Sequence, residues 1–70
     1  MHNLTLRLNG DLEELAVHTL LDVLLAKGFD AEGKGIAVAL NAQVIQRKKW
    51  AETVVKAHDD IEIVRARQGG

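Results

Sequence analysis

The order of elements in this 70-residue chain predicts an α+β domain of two layers, a mixed sheet of four to five strands packed on one main helix. Three observations predict it. The stretch from Asn3 to Leu8 alternates apolar and polar residues, Thr19 to Gly28 carries one capped apolar stripe, and Ile61 to Val64 alternates again before the chain ends on Gly69-Gly70.

Leu4, Leu6 and Leu8 share one face of the first strand, with Thr5 and Arg7 on the other. Asn9-Gly10 tolerates positive φ at both positions and signals a hairpin. The return strand is expected over Leu12 to Val17, although Glu13-Glu14 and Leu15-Ala16-Val17 come in blocks and define the register poorly. Thr19 is suited to cap a helix, and Asp22 three residues on completes a capping-box variant at the positive end of the dipole. Leu20, Val23, Leu24 and Lys27 fall on one stripe, and Gly28 ends a helix of about nine residues. Packing against the sheet, and not propensity, must hold so short a helix. Asp30 to Gly35 reads as a polar loop. Ile36-Ala37-Val38-Ala39-Leu40 reads as a strand with its large residues on one face, and Asn41-Ala42 as a tight turn into Gln43-Val44-Ile45. From Arg47 to Val55 one helical turn and irregular chain are expected, with Trp50 plugging an end of the core. A polar turn over Lys56 to Asp60 precedes the last strand. Fold analogy, not periodicity, sets the first and last strands side by side and parallel in the middle.

Composition narrows the function. A chain of this length buries only about 60% of its unfolded surface, leaving no room for a second domain or a deep catalytic cleft. Nine Lys and Arg against ten Asp and Glu give a net charge of −1, which draws the protein to neither nucleic acid nor an acidic membrane. With no cysteine there is no disulfide framework and no thiol chemistry. Nothing near Met1 reads as a signal peptide and no apolar run is long enough to span a bilayer, so a cytoplasmic location is expected.

The end of the chain is the exception to this plainness. Residues 1–66 read as the domain and 67–70 as a tail. Extended, Ala66 to Gly70 reaches roughly 17 Å beyond the last strand. Gly69 and Gly70 keep that end slim enough for a narrow channel and allow backbone to approach backbone. The group such a tail presents is the α-carboxylate of Gly70.

Several stretches together resemble a known family. They are Asn9-Gly10, Thr19 to Leu24, Val38 to Asn41, Val44 to Glu52 with its Arg47-x-x-Trp50, and Asp59 to Gly70. The chain is similar along its whole length to the ThiS family of small sulfur carriers of thiamine thiazole synthesis. The resemblance implies a ubiquitin-like β-grasp fold with an extended Gly-Gly tail. It further implies that the Gly70 carboxylate is adenylated by an E1-like adenylyltransferase (ThiF-like) using ATP and Mg²⁺. The adenylate then becomes a thiocarboxylate with sulfur from a cysteine desulfurase, and a thiazole synthase (ThiG-like) takes that sulfur. Gly69, Gln68 and Arg67 are expected to thread the partner's active site. The protein is the substrate of this chemistry and not an enzyme, with no bound cofactor. The family usually has Pro where Gln46 stands and Gly where His58 stands, differences of local turn chemistry.

Blander readings stand beside these. Two terminal glycines alone are what a frayed end or an expression scar looks like, but here a strand runs directly into them. His2, His18 and His58 are isolated histidines with no carboxylate or thiol cluster around them, and no metal is expected. One Trp and one Phe cannot build a nucleic-acid stacking surface, so Trp50 reads as core. Arg47-Lys48-Lys49 reads as a solvated face, with contact to an acidic partner as the alternative. With Ile61 and Ile63 facing the helix, Val64, Ala39 and Ala37 share the open face of the sheet. There, with Arg65 nearby, they are candidates for partner docking, or simply small residues that let strands pack. Three function classes follow: a carrier for thiazole synthesis, a carrier for another pathway (molybdenum cofactor) or a ubiquitin-like modifier, and a non-covalent β-grasp binding module with incidental glycines.

Overall fold

The computed structural model describes residues 3–65. His2 and the whole of the tail, with the boundary expected at residue 66, lie outside the described residues. The elements are β1 (Leu4–Leu8), β2 (Asp11–Leu15), α1 (Leu20–Ala26), β3 (Ile36–Leu40), β4 (Gln43–Ile45), a 3₁₀ helix (Arg47–Glu52) and β5 (Asp60–Arg65). The strands form one sheet in the order β2-β1-β5-β3-β4, with β1 and β5 parallel and the other neighbours antiparallel. This is a mixed sheet over one helix, a β-grasp arrangement, and it puts the strand leading to the C-terminus in the centre.

Alternation decides which side of the sheet is covered. Leu6 and Leu8 of β1, Val38 of β3 and Ile61 of β5 meet Leu20, Val23 and Leu24 of α1, while Val17, Trp50 and Val55 close the ends. The three helix residues are fully buried, and each contributes roughly 1.5–3 kcal/mol of transfer free energy. That burial holds a seven-residue helix far too short to persist alone.

Three boundaries and one side chain differ from expectation. The second strand ends at Leu15, so Val17 reaches the core from outside the ladder; Leu4 pairs with Leu15 and Leu8 with Asp11. The helix stops at Ala26, with Lys27 as its C-cap and Gly28 at φ +88°. Lys27 is not part of the buried stripe. Its ammonium reaches across to Glu13 of β2 at 2.6 Å, tying the helix end to the sheet edge. The segment after β4 is ordered as two turns of 3₁₀ helix, after which Val54 bridges to Thr19.

The hairpin turn does more than reverse the chain. Asn9 and Gly10 both have positive φ, as a type I′ turn requires. The Asn9 N–H donates to the Ile61 carbonyl at 2.9 Å, and its Oδ1 accepts from the Ile63 N–H at 2.8 Å. Where β1 ends, a carboxamide thus supplies the next rung beside β5. His58 lies at φ +70°, which explains the family's glycine there; a histidine in this left-handed region costs on the order of 1–2 kcal/mol. Gln46 has φ −67°, the value a proline ring imposes, so the family's proline would fit the same backbone.

Thr19 and Asp22 form the expected capping box. The Asp22 N–H donates to Thr19 Oγ1 at 3.2 Å, and the N–H groups of Thr19 and His18 both donate to Asp22 Oδ2 at 3.0 Å. The Thr19 bond first, then that from His18, holds the Asp22 carboxyl below its ordinary value of 3.8. Because the folded value is the lower one, the stabilisation is complete above the unfolded-chain value. It is lost as pH falls through the folded one. Urea unfolding at pH 7 should therefore find Asp22→Ala less stable than the parent by about 1 kcal/mol. The gap should close as the pH is taken below 3.8. A gap of constant size down to the acid limit would rule out the carboxylate as its source.

Candidate functional site

The covered face of the sheet is core, so a partner that meets the sheet must use its open face or its edges. On the open face β5 and β3 pair Val64 with Ala37 and Glu62 with Ala39, and β4 adds Val44 opposite Ala39. Together with the backbone of Val38, these residues line a shallow apolar depression of about 140 Å³. The alanines form its floor because their side chains stop at Cβ. Val44 and Val64, 72% and 60% exposed, form its walls. Glu62 sets one acidic group on the rim.

The structure thus brings together Val64, Ala39 and Ala37. It does not bring Arg65 to them. Arg65 follows the alternation of Ile61 and Ile63 onto the helix side, where its guanidinium lies 4.9 Å from the centroid of the Phe29 ring. Val44 is the docking candidate that sequence reasoning passed over. The signal was present: Ile45 packs inward against the core, so Val44 must face out, and a two-residue turn at Asn41-Ala42 sets it beside Ala39.

Gly70, Gly69, Gln68 and Arg67 lie outside the described residues. Their point of departure does not. β5 is the central strand, hydrogen-bonded to β3 through Arg65 and flanked on the β1 side by Arg7, Leu8 and the Asn9 turn. A tail continuing from Arg65 therefore begins at the rim of the Ala37–Val64 depression. A protein docked on that depression stands beside the first residue of the tail.

Trp50 and part of the basic run make contacts within the domain. Trp50 is buried, with its indole N–H donating to the Ile45 carbonyl at 2.9 Å. Of the basic run, Arg47 donates to the Glu32 carbonyl at 2.8 Å and Lys49 lies 3.9 Å from Glu52. No helix among the described residues is long and apolar enough to cross a membrane.

Comparison with known proteins bears on this arrangement. A family model described as the ThiS family matches residues 6–70. The crystal structure of the thiamine biosynthesis protein ThiS from Geobacter metallireducens is similar with a TM-score of 0.79 at 26% identity, over 96% of this chain and 100% of that one. The solution structure of a thiamine biosynthesis protein from the same organism gives 0.75 at 24% identity, over 96% of this chain and 88% of that one. No curated protein matches the chain significantly.

Proposed function

The chain belongs to the ThiS family, and from that premise we propose that it is a sulfur carrier for thiamine biosynthesis, with Gly70 as the carrying residue. The observation that supports this most directly is the extent of the family match, which runs through Gly69 and Gly70.

A carboxylate is a poor acylating group until one oxygen becomes a good leaving group. Attack of the Gly70 carboxylate on the α-phosphate of ATP, in the active site of an E1-like enzyme holding Mg²⁺, releases pyrophosphate and leaves an acyl adenylate. The terminal sulfur of a persulfide, charged by a cysteine desulfurase, attacks the acyl carbon and expels AMP. A thiol then cleaves the resulting acyl disulfide, leaving the thiocarboxylate on Gly70 for a thiazole synthase. The carrier's own residues do no bond chemistry. Its domain presents the Ala37–Val64 depression for docking, and Arg67, Gln68 and Gly69 carry the carboxylate into the partner's channel. The activating step consumes ATP, and a cytoplasmic location would supply it.

Intact-protein mass spectrometry tests this after incubation with the E1-like enzyme, Mg·ATP and a persulfide source. The expected result is a mass gain equal to sulfur replacing oxygen, absent when Gly70 is deleted. An unchanged mass beside an enzyme shown active on another carrier would return the chain to the class of non-covalent binding modules.

A further inference from the structure

We propose that Arg65 and Phe29 form a clasp that fixes the outgoing end of β5 and so sets the direction in which the tail leaves the domain. For its kinetic consequence the proposal rests on the carrier reading above. The clasp itself is a property of the isolated protein.

Up to Ile63, β5 is held on both flanks. β3 pairs with it on one side, and on the other Arg7, Leu8 and then the Asn9 carboxamide supply hydrogen bonds. β1 ends at Leu8, so among the described strands Arg65 is paired in register on one flank only, with Ile36. A strand end held along one edge can hinge out of the sheet plane. The movement must be stopped from above or below.

Arg65 supplies that stop. Alternation turns its side chain toward the helix layer, where a charged residue looks out of place after Ile61 and Ile63. Its aliphatic stem can lie along the edge of the core while the planar guanidinium covers the Phe29 face, at 4.9 Å from the centroid. The ring is a firm anchor. Phe29 is half-buried against the core, and its N–H donates to the Leu24 carbonyl at 2.9 Å in the last turn of α1. The clasp therefore joins the end of the helix to the end of the central strand.

A lever argument gives the restraint its value. Over the roughly 17 Å from Arg65 to an extended Gly70, a swing of ~20° at the base moves the tip by ~6 Å, about twice the width of a hydrogen bond. A base held in one direction leaves less freedom to be lost when the tail is threaded, which lowers KM without touching the chemical step. Arg65 and Phe29 are positioning residues in this sense.

The test is a double-mutant cycle on the full chain with Arg65→Gln, Phe29→Leu and the pair, together with Phe29→Trp. Each variant is first shown folded at the assay temperature by circular dichroism. Pyrophosphate exchange catalysed by the E1-like enzyme then gives KM and kcat. Each single variant should raise KM by about two- to fivefold with kcat unchanged, the fold-change expected for one exposed cation–π contact. The pair should be no worse than the worse single variant, and Phe29→Trp should match the parent. Proton NMR of the parent should show the Arg65 δ-protons shifted upfield by the ring and unshifted in Phe29→Leu, with a lower backbone order parameter at Arg65. An effect of Arg65→Gln that Phe29→Leu does not share would mean that the guanidinium touches the partner directly, and would overturn the proposal. So would additive effects, or a parent without the ring shift. If the parent is not adenylated at all, it is the carrier reading that fails, and the NMR result alone decides for or against the clasp.

Discussion

Gly33→Ala will destabilise the protein by about 2–5 kcal/mol, enough to leave much of it unfolded at 37 °C. Gly33 is buried with φ +62°, and a Cβ built on it stands 2.2 Å from both Cη2 and Cζ3 of the Trp50 ring. Two costs therefore add. The left-handed backbone costs an L side chain roughly 1–2 kcal/mol, and overpacking a closed core site costs another ~1–3 kcal/mol. The ring cannot swing aside cheaply, because it is 2% exposed and its N–H is committed to the Ile45 carbonyl. Thermal unfolding followed by circular dichroism should show the midpoint falling by about 10–30 °C. Trp50 is the single tryptophan, so its fluorescence reports the site directly. Pairing Gly33→Ala with Trp50→Leu separates the two costs, since the clash disappears with the ring and the backbone strain remains. The double variant should be more stable than the sum of the single effects by ~1–3 kcal/mol. A midpoint within 5 °C of the parent's for Gly33→Ala, against the ~4–8 °C expected per kcal/mol in a domain of this size, would show that the loop repacks without loss.

Gly33 also shows where sequence reading stops. A glycine within Asp30 to Gly35 reads as loop flexibility, and its actual reason is a ring seventeen positions along the chain (50 − 33). Features governed by local periodicity were legible: the leucine face of β1, the Thr19–Asp22 cap, the Asn9-Gly10 turn, and the outward set Ala37, Ala39 and Val64. Features governed by a partner in another element were not. Lys27 has helical spacing with Leu20 and Leu24 yet belongs to Glu13, because a long side chain at a helix end can reach past the stripe to a carboxylate. Arg65 sits beside Val64 in sequence and, by strand alternation, on the other face in space. The end of β2 was misjudged for a related reason: β1 offers pairing partners only as far as Leu4, and Val17 is buried by the core without needing a ladder. The reading of the tail rests on residue type at the terminus and not on packing, and residues 66–70 lie outside the described residues.

Val64→Asp should cut the efficiency of activation by roughly 30-fold or more while the domain stays folded. The side chain is 60% exposed in the isolated protein, so the fold itself loses little apolar burial, and the cost to stability should be about 1 kcal/mol or less. In a complex the balance reverses. A partner seated on the Ala37–Val64 depression would desolvate a carboxylate placed two residues from Glu62 on the same strand face, and would lose the apolar contact as well. Truncating or charging a hot spot at the centre of such a patch costs about 2 kcal/mol or more. Controls fix the interpretation. Val44→Asp, on the opposite wall of the same depression, should behave like Val64→Asp. Val64→Thr keeps the shape and should lose only severalfold. Leu12→Asp alters an equally exposed apolar residue on β2, the opposite edge of the sheet from β4, and should be nearly silent. The readout is the KM and kcat of pyrophosphate exchange with the full-length carrier. Activation by folded Val64→Asp within twofold of the parent would mean that the small residues of β3 serve only close strand packing. Equal losses from Leu12→Asp and Val64→Asp would instead mean that added charge anywhere on the open face repels the partner, and the depression would have no special part in docking. Loss at Val64 and Val44 alone would assign the contact to the open face of β5 and β4, where a docked enzyme meets the tail at its root.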